Sequence, residues 1–217
     1  MIFNRKKHLV QKNSMLWGEE VAEQYHGAAA RDMQAHWDEY IEPTLHRHPI
    51  DYEAVIDFAC GYGRNTDILL LRSKNVTMVD VNTHNVAYCQ KKYADEQRVS
   101  VVECSGYDMS KIERNSTTFF YTFDSMVHFP KELIKSYMPE INRVMKLGAH
   151  AFIHHSNYTA GGPKADFRSN PHWRNYMSAD LFAQLAADVG FEIVEQSVQP
   201  WGGVAELDCI SVLKKRT

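Results

Sequence analysis

The sequence predicts an α/β fold built on a doubly wound, mostly parallel sheet, and three observations predict it. The apolar run Val55-Ile56-Asp57-Phe58 ends in Ala59-Cys60-Gly61-Tyr62-Gly63, a strand meeting a glycine turn. A second apolar run, Val76-Thr77-Met78-Val79, ends in Asp80, about twenty residues past the first glycine. Strand-like runs then alternate with helical periods, and strands separated by helices pair in parallel.

Residues 1–50 read as an N-terminal helical cap. Val21, Tyr25, Ala28, Ala29, Met33 and Trp37 recur at helical spacing, and Pro43 and Pro49 break the pattern before the first strand. Residues 51–217 form the main domain. Its strands are predicted at Val55–Phe58, Val76–Val81, Val99–Glu103, Phe119–Phe123, Ala149–His155, Phe191–Glu195 and Cys209–Leu213. Helices fall near Thr66–Leu71, Asn85–Tyr93, Lys131–Met145 and Ala179–Val189. The last of these is well marked: Ser178 can cap it, Asp180 complements its dipole and Gly190 can take the left-handed stop. Pro139 predicts a kink in the helix before it.

The glycine turn carries the first functional signal. Glycine lets the backbone take positive φ and lets a ligand approach the main chain. In a doubly wound sheet, ligands bind in the crevice at the carboxyl ends of the strands. Asp80 ends the neighbouring strand there and can accept ribose hydroxyls. A dinucleotide site calls for a third glycine three residues after the second, and here that position is Thr66. Asp57 would also stand near the phosphates, whereas a negative side chain suits a sulfonium-bearing amino acid. An NAD-dependent oxidoreductase and a non-catalytic module that kept the fold are the alternatives.

From about Ala54 to Lys215 the chain resembles the class I S-adenosylmethionine-dependent methyltransferases. The glycine turn is similar to their first motif, Val79-Asp80-Val81-Asn82 to the acidic second, and Leu147-Gly148 with Ala149 to Ile153 to the approach to the fifth strand. The resemblance implies a Rossmann-like sheet of seven strands, with the last antiparallel and inserted beside the fifth. It implies S-adenosylmethionine as cofactor, S-adenosylhomocysteine as product, and contacts from Asp57, Ala59, Gly61, Gly63, Asn65, Asp80, Val81, Gly106, Tyr107 and Phe123. Many members carry an acid for the adenine amine after the third strand. Ser105 stands in that place and can accept the same hydrogen bond more weakly. N-terminal helices in the family often lie over cofactor or acceptor, while core packing is the competing role for Tyr25 and Trp37.

Methyl transfer to a hydroxyl needs alignment and a base, and histidine is the usual base near neutral pH. His128 lies in the loop after the fourth strand, at the crevice, with Asp124 placed to orient it or to contact the acceptor. His154 and His155 end the fifth strand on opposite faces, so one of the two is expected to line the acceptor pocket. The Asn/Asp-Pro-Pro-aromatic pattern of methyltransferases acting on adenine or glutamine amines is absent. The Phe-Asp-x-Met-Val-His-Phe stretch resembles enzymes acting on small molecules or sugars, which makes O-methylation of such an acceptor the favoured reaction.

Residues 156–177 show no strand or helix period, yet hold Tyr158, Phe167, His172, Trp173, Arg174 and Tyr176. Loops this long are usually functional or disordered, and the aromatics argue against disorder. The segment is read as an acceptor lid, hinged at Gly161-Gly162. Trp173 and Tyr176 would stack on a ring and Arg174 would hold an anionic group. Pro200-Trp201-Gly202-Gly203 is expected at the same crevice. A net charge of −3 over 217 residues argues against nucleic acid as partner. Cys60, Cys89, Cys104 and Cys209 are scattered without Cys-x-x-Cys spacing, which favours a reduced, cytoplasmic protein. No metal-ligand spacing occurs, and no apolar run is long enough to cross a membrane.

Overall fold

Strand β1 (Ala54–Phe58) is buried along nearly its whole length because both of its faces are covered. It pairs in parallel with β2 (Asn75–Asp80) on one side and with β4 (Thr117–Thr122) on the other. β3 (Val99–Glu103) extends the sheet beyond β2, and β5 (Met145–Ser156) extends it beyond β4, both in parallel. β7 (Val204–Lys215) inserts antiparallel between β5 and β6 (Phe191–Trp201), giving the order β3-β2-β1-β4-β5-β7-β6. This is the Rossmann-like sheet expected, with the last strand antiparallel beside the fifth. The structure is a computed structural model that describes residues 10–11, 27, 30–163 and 165–217.

Side chains alternate across a strand, so neighbouring residues feed opposite layers. Ile56, Phe120, Ala151, Ile153 and Leu213 meet helices α4 (Lys131–Val144) and α5 (Ala179–Ala187) through Ile134, Tyr137, Ile141 and Phe182. Val55, Phe119, Tyr121, Phe152 and Val212 face the other layer. There Leu69 of α2 (Arg64–Leu69) and Cys89 of α3 (Thr83–Lys92) close over them. The helical segment entering from residue 30 joins this layer. It ends in a π-helical turn, Trp37–Ile41, and a final turn α1 (Glu42–Leu45), burying Met33, Trp37, Ile41 and Leu45. Trp37 is therefore a core residue, its indole N–H donating to Glu42 at 2.8 Å. Val21, Tyr25, Ala28 and Ala29 lie outside the described residues.

The local signals of α5 operate as chemistry requires: Ser178 Oγ accepts the Leu181 N–H at 3.1 Å, and Gly190 takes φ 92° after the last turn. Pro139 leaves α4 unbroken over its fourteen residues, so the interruption expected there is confined to one missing donor. β6 and β7 run longer than expected because they form a hairpin. Gly202 and Gly203 close it at φ 54° and 82°, the two-residue turn that suits strand twist. Residues 156–177 are tied down by a bridge between Tyr158 and Tyr176 and by buried Phe167 and Met177.

Candidate active site

A cleft opens at the carboxyl ends of β1, β2 and β4, with a volume of about 1010 Å³ including its open mouth. Its floor is the turn after β1, where Ala59, Gly61 and Gly63 all take left-handed φ of 56°, 56° and 78°. Gly63 is indispensable sterically, since a Cβ there would sit 2.5 Å from the Tyr93 hydroxyl and 2.8 Å from Met78 Cε. Gly61 N–H donates to Asp80 Oδ2 at 3.0 Å, joining the turn to the end of β2. Asp80 Oδ1 accepts the Asn82 N–H at 2.8 Å. Burial raises the Asp80 carboxyl above its ordinary range, against the pull of the N–H groups of Asn82, Gly61, Asn85 and Val81.

At the other end of the cleft stands Asp124, just past β4, in a left-handed conformation (φ 54°). Its carboxylate accepts from Arg64, the first residue of α2, at 3.0 Å, and lies 3.6 Å from Arg174. Burial alone would raise its pKa, but the two guanidinium groups hold it well below the usual carboxylate range. Asp124 N–H donates to His154 Nδ1 at 3.1 Å, which puts the His154 proton on Nε2, and that nitrogen donates to Asp208 at 3.1 Å. Arg174 grips the same carboxylate with two bonds of 2.9 and 2.5 Å. Trp201 covers this network, 5.1 Å from the His154 ring and 5.3 Å from the Arg174 guanidinium.

His128 also lines the cleft. Its Nδ1 lies 3.0 Å from the Trp173 carbonyl, which can only accept, so in the neutral ring Nε2 is the basic nitrogen. Burial, reinforced by the Arg174 charge, pushes its pKa down to about 4. The Asn175 main chain donates to the Val127 carbonyl at 3.1 Å, and its side chain donates to His128, so residues 156–177 brace this loop from behind.

The cleft brings together Ala59, Gly61, Asn65, Asp80, Val81, Gly106, Phe123, Asp124 and His128 of the residues singled out in the sequence. Gly63 shapes the turn beneath the floor without lining the cleft, His154 stands behind Asp124, and the rest lie outside the wall. Asp57 is buried behind the turn, where Thr66 donates to it at 2.6 Å; its pKa is pushed up to about 7 by burial, so it braces α2 instead of facing a ligand. Ser105 folds back to accept the N–H groups of Tyr107 (3.2 Å) and Asp108 (2.9 Å), an Ser-turn that takes it and Tyr107 away from the cleft. His155 points to the opposite face, stacked on Phe182 at 3.7 Å and bonded to Ser156 and Ser211, so it is a core imidazole. Arg174 is not open to an external anion, because it is buried and paired with Asp208 and Asp124. Trp173 and Tyr176 do not line the cleft either; Trp173 acts through its carbonyl on His128. Sequence reasoning missed Arg64, Asn85, Phe129 and Tyr137 in the wall. Arg64, directly after the second glycine, was the one with a readable signal.

Residues 55–148 match a family model described as a methyltransferase domain. That segment is a methyltransferase domain of the class I S-adenosylmethionine-dependent kind, with S-adenosylmethionine as its cofactor. Comparison with curated proteins finds no match. Among solved structures, a candidate sarcosine dimethylglycine methyltransferase from Galdieria sulphuraria superposes with TM-score 0.70 at 15% identity, covering 86% of this chain and 88% of that one. A candidate S-adenosylmethionine-dependent methyltransferase from Listeria monocytogenes gives 0.65 at 12% identity, covering 85% and 100%. Geranyl diphosphate C-methyltransferase from Streptomyces coelicolor gives 0.61 at 13%, covering 75% and 71%. At such identities the likeness is one of fold, and acceptors differ among these neighbours.

The residues present fit this cofactor. Gly106 clears the cleft where a Cβ would meet Val10 and Val81 at 2.3 and 3.0 Å, and Asn85, whose side-chain oxygen is buried and unpartnered, belongs to the same wall. Asp80 and Asn85 would hold the nucleoside, with Phe58, Val79, Phe129 and Leu133 supplying apolar wall. The NAD alternative is set aside by the family match, and Thr66, where a third glycine would be needed, is fully buried. Among the described residues no helix is long and apolar enough to cross a membrane, and no three His, Cys, Asp or Glu side chains gather as metal ligands.

Proposed function

We propose that this methyltransferase modifies a hydroxyl of a small-molecule acceptor, a sugar or polysaccharide unit among the candidates, with His128 as base. The observation that carries the reading is the His128 hydrogen bond to the Trp173 carbonyl, which presents Nε2 as the basic atom of a cleft-lining ring. The cofactor supplies a methyl group activated by its sulfonium. Asp124, fixed between Arg64 and Arg174, sits beside that base and can accept from a neighbouring acceptor hydroxyl. His128 would take the acceptor's hydroxyl proton at Nε2 while the bound cofactor gives up its methyl group and leaves as S-adenosylhomocysteine, alignment plus base together supplying the rate. Partly exposed Trp201 near Asp124 gives a ring-bearing acceptor an aromatic surface to lie on. Residues 156–177 serve as the acceptor lid in this reading, acting through Trp173 and Asn175.

The test is a screen of hydroxylated small molecules, sugars included, for acceptor-dependent formation of S-adenosylhomocysteine. The methylated atom is then identified by NMR. Methyl found on nitrogen or carbon, or turnover unchanged in His128→Ala, would overturn the proposal.

A further inference from the structure

Two turns with positive φ at both central residues lie against each other in this chain. One is Gly202-Gly203, which closes the β6–β7 hairpin. The other is His172-Trp173, at φ 47° and 55°, closed by the Arg174 N–H donating to the Pro171 carbonyl at 3.0 Å. Turns of this type favour glycine and asparagine, and a tryptophan in one is strained. Such strain persists only where the surroundings over-determine it, and it gathers where a mechanism uses it.

The surroundings do over-determine it. His172 Nε2 lies 3.2 Å from the Gly202 carbonyl, which only accepts, so Nε2 carries the ring proton and donates. The imidazole sits so closely on the hairpin turn that a Cβ at Gly202 would come within 2.1 Å of Nε2. A Cβ at Gly203 would meet nothing within 4 Å. Three successive carbonyls then each accept from a different side chain: His172 from Arg174 at 3.1 Å, Trp173 from His128 at 3.0 Å and Arg174 from Asn170 at 2.8 Å. The carbonyl that decides where His128 keeps its proton thus belongs to a strained residue. We propose that His172 is a positioning residue for the base: by donating to Gly202 it holds the left-handed turn that keeps the Trp173 carbonyl on His128 Nδ1, and so keeps the proton off Nε2. The proposal rests on His128 as the base, and its test reads the placement of that proton without turnover.

The test is imidazole-nitrogen NMR of the isotopically labelled full chain at neutral pH. The His128 signals, among those of eleven histidines, are the ones lost in His128→Asn. Wild type should show Nδ1 protonated and Nε2 unprotonated. His172→Ala removes the donor and Gly202→Ala displaces its ring, so each should shift both nitrogens toward intermediate values as the two tautomers mix. His172→Gln keeps a donor of similar reach and should restore the wild-type pattern. Gly203→Ala strains the same hairpin without touching His172 and should leave the pattern unchanged. Thermal unfolding checks that each variant is folded. The wild-type pattern in folded His172→Ala and Gly202→Ala would overturn the proposal, as would an equal shift in Gly203→Ala. A wild type with Nε2 protonated would overturn it together with the assigned base atom. Turnover unchanged in His128→Ala, with the NMR outcome as expected, would instead overturn the base role and leave the hold of His172 on that proton standing.

Discussion

The main-chain N–H of Asp124 donates to Nδ1 of His154 at 3.1 Å, so the backbone of a strand-end acid in the cleft is held by an imidazole on the next strand. His154 is held in turn by Asp208 on β7. Asp124 keeps its left-handed backbone because this bond and two guanidinium groups over-determine it.

Replacing His154 by Phe keeps a ring of similar size against Phe123, 4.7 Å away, but removes both nitrogens. The Asp124 N–H loses its partner in a buried site, and Asp208 Oδ2 is left with Arg174 alone. The expected cost is about 2–4 kcal/mol, from unsatisfied buried groups. Urea denaturation measures it, and a loss below about 0.5 kcal/mol would show that the bond is not holding the strand end.

The Arg174–Asp208 pair behaves as a buried ion pair, with both side chains almost fully enclosed. Arg174→Met leaves Asp208 without its main counter-charge, and Asp208→Leu does the reverse; each should cost about 3–5 kcal/mol. The double variant should lose clearly less than the two losses added, because no isolated charge remains in that pair. Additive losses in a double-mutant cycle would mean that the two residues act separately.

A base with a pKa near 4 is already unprotonated at neutral pH. With burial and Arg174 lowering it, the turnover rate should stay flat from about pH 8 down to 5.5 and fall only as pH drops through about 4. An ordinary, exposed histidine would instead lose activity through about 6.5. His128→Asn should lower kcat by about 10²–10⁴ while leaving S-adenosylhomocysteine affinity within about threefold of wild type.

Asp57 has a folded pKa pushed up to about 7, against 3.8 unfolded. The sign follows from proton binding: between those values the folded state holds the proton and the unfolded state does not, so this group's contribution falls as pH rises. Asp57→Asn can still accept from Thr66 and cannot ionise. Relative to that variant, wild type should lose roughly 2–3 kcal/mol of stability between pH 5 and 8, at about 1.4 kcal/mol per unit up to the folded pKa. Parallel stability curves for the two proteins over that window would show that Asp57 is not protonated there.

Much of the fold was legible because periodicity and punctuation agree in this chain. All seven strands are where alternation and turn residues place them, and the Ser178 cap and Gly190 stop form as their chemistry predicts. The cleft floor was legible for the same reason, since glycines between a strand and a helix have few other uses. The partners of Asp124 were not. Asp208 and Arg174 lie 84 and 50 residues from it in the chain, and only the antiparallel insertion of β7 brings Asp208 beside His154. Ser105 misled because a hydroxyl near its own following amides prefers a local turn to a ligand. His155 misled because strand alternation says that two neighbours part company, without saying which one packs in the helix layer and which backs Asp124.

The insertion of β7 has a consequence for modularity. The turn, Asp80, Asp124 and His128 all lie within residues 55–148, yet Asp124 owes its setting to His154, Arg174 and Asp208. A fragment cut to those bounds would retain the cofactor floor and the Arg64 partner of Asp124, but would lose the restraints that His154, Arg174 and Asp208 supply from the final third of the chain. The cofactor floor and the full setting of Asp124 thus draw on different stretches of the chain, so truncation would separate them.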